Sequence, residues 1–230
     1  FQFMKTNPSL IEDDNFLVHL IDEINERINN FLKTYKYYDV LGEFYIQFLT
    51  YANSDKGLGI VLTPMHITEL FCEVANINKH SIIYDNCCGT GGFLISSMRY
   101  LLKQVNSETE KNKIKEKNFI GTEYQDYIFT LASSNMILQG DGLTKIFNSD
   151  CFKNIKEIQQ HKPNVGMLNP PFKMDKDDIE ELEFVLNNLE TLEPGSICLA
   201  LLPMRCVMYD KGYGLELKKK IYQNHTIKAV

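Results

Sequence analysis

The sequence predicts an α/β fold, a mainly parallel sheet with helices on both faces, preceded by a helical segment. Three observations predict it. From residue 82 onward, short apolar runs alternate with stretches of helical periodicity; a glycine-rich turn follows the first run; and successive runs end in polar or acidic residues, Asp85, Glu123, Asp150 and Asn169. Strands separated by helices pair in parallel, and ligands of such sheets gather at the carboxyl ends of the strands.

At 230 residues the chain suits one well-buried domain with a smaller appendage, and its composition of 44% hydrophobic and 23% charged residues is that of a globular protein. No apolar run approaches the roughly 18 residues of a membrane span. The opening Phe1-Gln2-Phe3-Met4 has no signal-peptide character, so a cytoplasmic protein without a membrane partner is expected. Six cysteines lack metal-type spacing and read as reduced, packed thiols; His66, His80, His161 and His225 are likewise unsuited to a metal, so none is assigned. The net charge of −6 argues against a chain that grips a nucleic-acid backbone unaided.

The elements follow in order. Leu17, Leu20, Ile21, Ile24, Ile28, Phe31 and Leu32 form one helical stripe capped by Asp13 or Asp14, and Leu41, Phe44, Phe48 and Tyr51 a second, ended at residues 53–57. Together they make a helical segment over 1–58, with the main domain over 59–230. Thr63 is placed to cap, and Pro64 to begin, a helix carrying Ile67, Leu70, Phe71 and Val74. Strands are expected over 82–85, 119–123, 145–150, 165–169, 197–203 and 226–230, and helices over 92–103, 125–138, 178–189 and 213–223. The charged stretch 104–118 reads as a solvated loop, and Lys218-Lys219-Lys220 as a solvated helix face.

The first strand runs into Asn86-Cys87-Cys88-Gly89-Thr90-Gly91-Gly92-Phe93. Glycines allow a sharp turn and close approach of backbone to a ligand, and the helix that follows offers free N–H groups. A dinucleotide fingerprint needs a further glycine where Leu94 stands, so pyrophosphate binding is excluded. An acid at the strand end, Asp85, suits a cationic ligand instead, and S-adenosylmethionine, with its ammonium and sulfonium, has that character. Glu123 is placed to accept from both ribose hydroxyls of an adenosine. Asp150, followed by Cys151, is placed to accept from the adenine amine, with Asp141 as a competitor in a turn.

The fourth strand delivers Asn169-Pro170-Pro171-Phe172. Two prolines end the strand and remove two N–H donors, which leaves an acceptor-rich loop. The Asn169 side-chain oxygen and the Pro170 carbonyl would accept the two protons of a planar amine, with Phe172 stacked on a base turned out of its duplex.

With these motifs the chain resembles the modification subunit of type I restriction-modification systems, a family of N6-adenine DNA methyltransferases. The likeness runs from about residue 41 to 230 and includes Gly59-Ile60-Val61-Leu62-Thr63-Pro64, residues 85–93, Gly121-Thr122-Glu123 and the Asn169 tetrapeptide. It implies a Rossmann-like S-adenosylmethionine-dependent methyltransferase fold and methylation of adenine N6 in duplex DNA. It also implies contact of Val61, Leu62, Thr63 and Pro64 with the methionine moiety, a separate DNA-specificity subunit, and in some systems a restriction subunit. The adjacent Cys87 and Cys88 depart from the family's usual residues while sparing the glycines. The family continues past Val230, so a carboxyl-terminal truncation is expected. Two other readings remain open on the sequence: transfer to another planar amine, cytosine N4 or a protein glutamine, and a silent cofactor-binding assembly subunit.

Overall fold

The computed structural model describes residues 16–30, 39, 42, 62–140 and 142–230. The chain divides into two compact units, Phe1–Tyr38 and Asp39–Val230. In the first, α1 (Phe16–Ile24) continues into a π-helical turn at Asn25–Asn29, with Glu23 and Arg27 paired at 2.7 Å one turn apart. Ile21, assigned above to the apolar stripe, is more than half exposed there. The capping residues Asp13 and Asp14 and the second helical stretch lie outside the described residues.

The second unit opens its described run with α2 (Met65–Val74), β1 (Ile83–Asp85), α3 (Gly92–Leu102), α4 (Glu108–Lys117), β2 (Phe119–Glu123), α5 (Asp126–Leu138) and β3 (Lys145–Asn148). It continues with α6 (Ile155–Gln159), β4 (Val165–Leu168), α7 (Glu181–Thr191), β5 (Ile197–Ala200), α8 (Met204–Met208) and α9 (Gly212–Asn224). The five strands form one parallel sheet in the order β3-β2-β1-β4-β5. Right-handed crossovers put α3 and α5 on one face and α6 and α7 on the other, because the chain reverses its direction of travel between β3 and β4. The reversal opens a crevice at the carboxyl ends of β1 and β4, and the functional side chains are found there.

Burial follows from that position. Every residue of the central strands β1 and β4 is buried, as required when helices cover both faces, whereas the edge strand β3 exposes Lys145 and Asn148. On the α7 side Leu168, Leu182, Phe184, Val185, Leu217 and Ile221 pack together. On the α3 side Phe93, Leu94, Ile95, Met98 and Leu101 are fully enclosed, and Thr68 and Ser96 share a buried hydroxyl–hydroxyl bond of 2.6 Å that fastens α2 to α3. Buried amides do the same for α7: Asn188 donates to the Tyr84 carbonyl and to Asn86 Oδ1, while Asn86 donates to the Phe184 carbonyl and to Asn187 Oδ1.

Several expectations are corrected. The stretch 104–118 contains helix α4, whose acidic first turn and basic last turn complement the helix dipole, with Glu108 and Lys111 paired at 2.6 Å. Its one buried apolar residue, Ile114, gives no stripe, so the sequence looked like loop. Residues 226–230 pair with no described strand, and Ile227 and Val230 are exposed; β-branched residues make a strand only where a neighbour supplies the ladder. Thr63 does not cap α2; Pro64 precedes its first residue with no side-chain cap bond. Lys218 is not a solvated cation, since its ammonium donates to the Val207 and Tyr209 carbonyls at 2.8 Å and closes the end of α8. The short helices α6 and α8 carried too few residues to show a period. No helix among the described residues is long and apolar enough to cross a membrane.

At Gly166 in β4 a Cβ would overlap Asn188 Oδ1 and press on Cys198 Sγ. Gly166→Ala is therefore expected to displace the Asn188 amide and cost about 1–3 kcal/mol. That should lower the melting temperature by roughly 2–4 °C per kcal/mol in a thermal melt. An unchanged melting temperature would show that the amide can move freely.

Candidate active site

Three strand-end acids are held by one local device. The carboxylate of Asp85 accepts from the Cys87 N–H at 3.0 Å, Glu123 from the Gln125 N–H at 2.9 Å, and Asp150 from the Phe152 N–H at 3.0 Å. Each side chain thus folds onto the amide two residues ahead, an Asx-type turn that fixes its direction as the chain leaves the strand. Glu123 gains a second clamp, because the Gly89 N–H of the glycine turn donates to its other oxygen at 3.0 Å. A carboxylate has about four acceptor sites, so Glu123 keeps capacity for a further hydroxyl donor.

The glycine turn is shaped by backbone that side chains resist. Gly89 and Gly91 have φ of +54° and +92°, and a Cβ on Gly89 would meet nothing within 4 Å. That side of the turn is an open cradle for a ligand. Thr90 is turned away into a bond with Asp39, which also receives the Asn135 amide.

These elements border a cavity of about 440 Å³. From the residues singled out in the sequence, Cys87, Gly89, Glu123, Asp150 and Cys151 line it together with Asn169, Pro170, Pro171 and Phe172. A smaller adjoining recess is lined by Leu62, Thr63, Asp85 and Thr90, by Gly92 and Phe93, and again by Cys87, Gly89 and Asn169. Pro64 and Gly91 line neither space, and Val61 lies outside the described residues. Sequence reasoning missed Asn86, Tyr124, Gln125, Ile128 and Ser149 on the walls, as well as Phe152, Ile179 and Phe184. Phe152 and Phe184 form a tilted ring pair at 5.1 Å. Adjacency to Glu123 and Asp150 was a usable signal for Tyr124, Gln125, Ser149 and Phe152. Asp39, in the recess, gave none.

The Asn169 loop is tied at both ends. Asn169 Nδ2 donates to Thr63 Oγ1 at 3.0 Å, and its Oδ1 is buried with no hydrogen-bond partner. Just beyond Phe172, the Lys173 N–H donates to Glu181 Oε1 at 2.8 Å. Glu181 is fully buried and also pairs with Arg205, whose guanidinium reaches the Lys173 carbonyl. The tetrapeptide is thereby braced from β4 on one side and α7 and α8 on the other.

An orphaned acceptor, an open glycine cradle and a carboxylate with spare lone pairs are what a nucleoside cofactor and an amine substrate require. The model of the N-6 DNA methylase family matches residues 36–230. The chain belongs to that family.

Relatives include the type II restriction enzyme and methyltransferase RM.BcgI of Heyndrickxia coagulans, 35% identical over 220 residues, 93% of this chain and 34% of that protein. The type I restriction enzyme EcoEI methylase subunit of Escherichia coli is 26% identical over 174 residues, 75% of this chain and 35% of that subunit. The chain thus spans about a third of the length of these curated relatives. Among solved structures, the type I restriction enzyme EcoKI M protein superposes with a TM-score of 0.60 at 20% identity, over 74% of this chain and 38% of that one. The fold is the Rossmann-like one of S-adenosylmethionine-dependent methyltransferases.

Burial pushes the Asp85 carboxyl up to about 8, partly offset by the Cys87 N–H and increased by the negative charge of Glu123. Burial also raises Glu123, opposed by the amides of Gln125, Gly89 and Tyr124. A cation brought into the recess would relieve the cost at Asp85. Without one, the folded chain keeps a proton on Asp85 that the unfolded chain has released. Its contribution to stability is full below the ordinary carboxyl value of 3.8 and is lost as pH rises to about 8. Unfolding free energies from urea titrations at the two ends of that window should differ by more in the wild type than in Asp85→Asn, by on the order of a few kcal/mol. Parallel pH profiles would rule this out.

Proposed function

We propose that this chain is the catalytic part of an adenine N6 DNA methyltransferase, acting as the modification subunit of a type I restriction-modification system. The observation that carries the reading is the buried, unpartnered Oδ1 of Asn169 beside the cavity, at the carboxyl end of β4. Asn135 Oδ1, Asn154 Oδ1 and Ser196 Oγ are also without a partner among the described residues, but of these four residues Asn169 is the one that borders the cavity, where an exocyclic amine could supply the donor.

S-adenosylmethionine, when bound, supplies an electrophilic methyl on its sulfonium. Asp85 would face the cofactor's cationic end in the recess, with Leu62, Thr63, the Gly89 backbone and Phe93 around it. Glu123 would accept from the ribose hydroxyls, and Asp150, beside Cys151, from the adenine amine. Cys87, Thr90, Gly91 and Gly92 shape the turn, and Val61 and Pro64 belong to the same segment by resemblance. Asn169 Oδ1 and the Pro170 carbonyl would accept the two protons of the target amine. That drains the ring conjugation from the nitrogen lone pair and aims it at the methyl. Pro171 stiffens the loop and Phe172 offers its face to the base, which must leave the duplex to enter. Asn169 is no base at neutral pH, so the proton displaced when the nitrogen–carbon bond forms passes to water.

The net charge of −6 supports dependence on a partner that grips DNA, a DNA-specificity subunit, with or without a restriction subunit. Such an enzyme works where the chromosome lies, in the cytoplasm. The relation to RM.BcgI, 35% identity over 93% of this chain, favours a second arrangement in which methylation and restriction reside in one protein, as that relative's name describes.

The full-length protein, with and without its specificity partner, should transfer labelled methyl to duplex DNA and yield N6-methyladenine. N4-methylcytosine, methylated protein or no product would sink the reading, and DNA cleavage by the same polypeptide would select the second arrangement. Asn169→Ala should lower turnover by at least about 100-fold while leaving cofactor affinity unchanged in calorimetry.

A further inference from the structure

Asn169 breaks the rule that the acids at the ends of β1 and β2 and just after β3 obey. Asp85, Glu123 and Asp150 each spend an oxygen on the N–H two residues ahead, at Cys87, Gln125 and Phe152. The corresponding residue for Asn169 is Pro171, which has no N–H, and the residue between is Pro170, which has none either. The local turn that would consume Asn169 Oδ1 therefore cannot form, and the oxygen stays buried without a partner.

Removing the local donor leaves the amide without a fixed direction. The terminal torsion of an asparagine is broad and roughly two-fold, and its oxygen and nitrogen are nearly the same size. Only one orientation serves an amine, because the reversed amide would set N–H donors against N–H donors. Within the described residues the side-chain bond that anchors this amide is with Thr63, whose Oγ1 receives Asn169 Nδ2 at 3.0 Å from 106 residues away in sequence. With the nitrogen held there, the oxygen is the end left for the substrate.

We propose that Thr63 is a positioning residue for methyl transfer: it tethers the nitrogen of Asn169 while Pro171 denies the oxygen a backbone donor, so that one acceptor is kept for the target amine. The inference rests on the adenine-amine reading of Asn169. It gives Thr63 a task different from the methionine contact that family resemblance implies, and a KM-against-kcat comparison separates the two.

The test uses the full-length protein with its specificity partner, saturating S-adenosylmethionine and duplex DNA. Thr63→Val, which keeps shape and removes the hydroxyl, should lower kcat by on the order of 10- to 100-fold. At saturating cofactor kcat should fall by a larger factor than the dissociation constant for S-adenosylhomocysteine rises, and Thr63→Ser should restore most of kcat. Pro171→Ala, which returns an N–H to the position two residues ahead, should lower kcat in the same way. Should valine disturb folding in a thermal melt, Thr63→Ala gives the same comparison against serine. Wild-type kcat in Thr63→Val, a serine variant no better than valine, or a loss confined to cofactor affinity would each overturn the role of Thr63. Wild-type kcat in Pro171→Ala would overturn the part given to the proline. Those failures are distinct from failure of the adenine-amine reading, which would show as an active Asn169→Ala enzyme.

Discussion

A parallel strand reaches its carboxyl end with a backbone that must turn, and the first polar side chain past the ladder has to be held by something. At β1, β2 and just after β3 that something is the chain itself, through a carboxylate folded onto the amide two residues on. The register that pairs Asp85 with Gly121 and Glu123 with Asn148 then sets these held acids along one edge of the sheet. The fourth end, at Asn169, is held from outside its own segment, by Thr63 and by the Glu181 brace. Acceptors committed to backbone amides and the uncommitted acceptor of Asn169 thus border the same cavity and recess, and that is the site's asymmetry.

That asymmetry carries an electrostatic cost. Asp85 is almost wholly buried and its carboxyl is pushed far above the ordinary range, so ionising it in the recess is costly, and a cation placed beside it would lower that cost. Asn169 carries the neutral counterpart, an acceptor buried without a donor. Each is unfavourable for stability by itself, and on the proposed reading each would be offset by the matching ligand group. Differential satisfaction of this kind is how binding energy is directed to one chemistry and not spread over the whole surface.

The scaffold that withstands these costs is mostly amide and hydroxyl bonding in the interior. Asn86, Asn187 and Asn188 lock α7 against β1, and Glu181 extends that lock through Lys173 and Arg205 to the loop after Phe172. Because α7 is fastened both to the glycine turn and to the Asn169 loop, the two share one support. A shift of that helix would move cofactor and substrate groups together.

The sequence by itself determined the alternating plan, the glycine turn and the strand-end positions of Asp85, Glu123 and Asn169, because parallel sheets write these as local signals: an apolar run, a glycine cluster, a proline stop. It did not determine α4, since a helix held by charge pairing and one buried isoleucine has no apolar period. It also misjudged 226–230, where β-branched residues lacked a partner strand. Tertiary structure alone decided that Thr63 meets Asn169 and not the start of α2, that Asp39 enters the recess, and that Phe152 and Phe184 face the cavity. Those are contacts between segments far apart in the chain, and nothing in local propensity encodes which distant group will satisfy a given donor. The orphaned oxygen of Asn169 lies between the two: the prolines that deny it a donor can be read from the sequence, but the tether that aims it exists only in the fold.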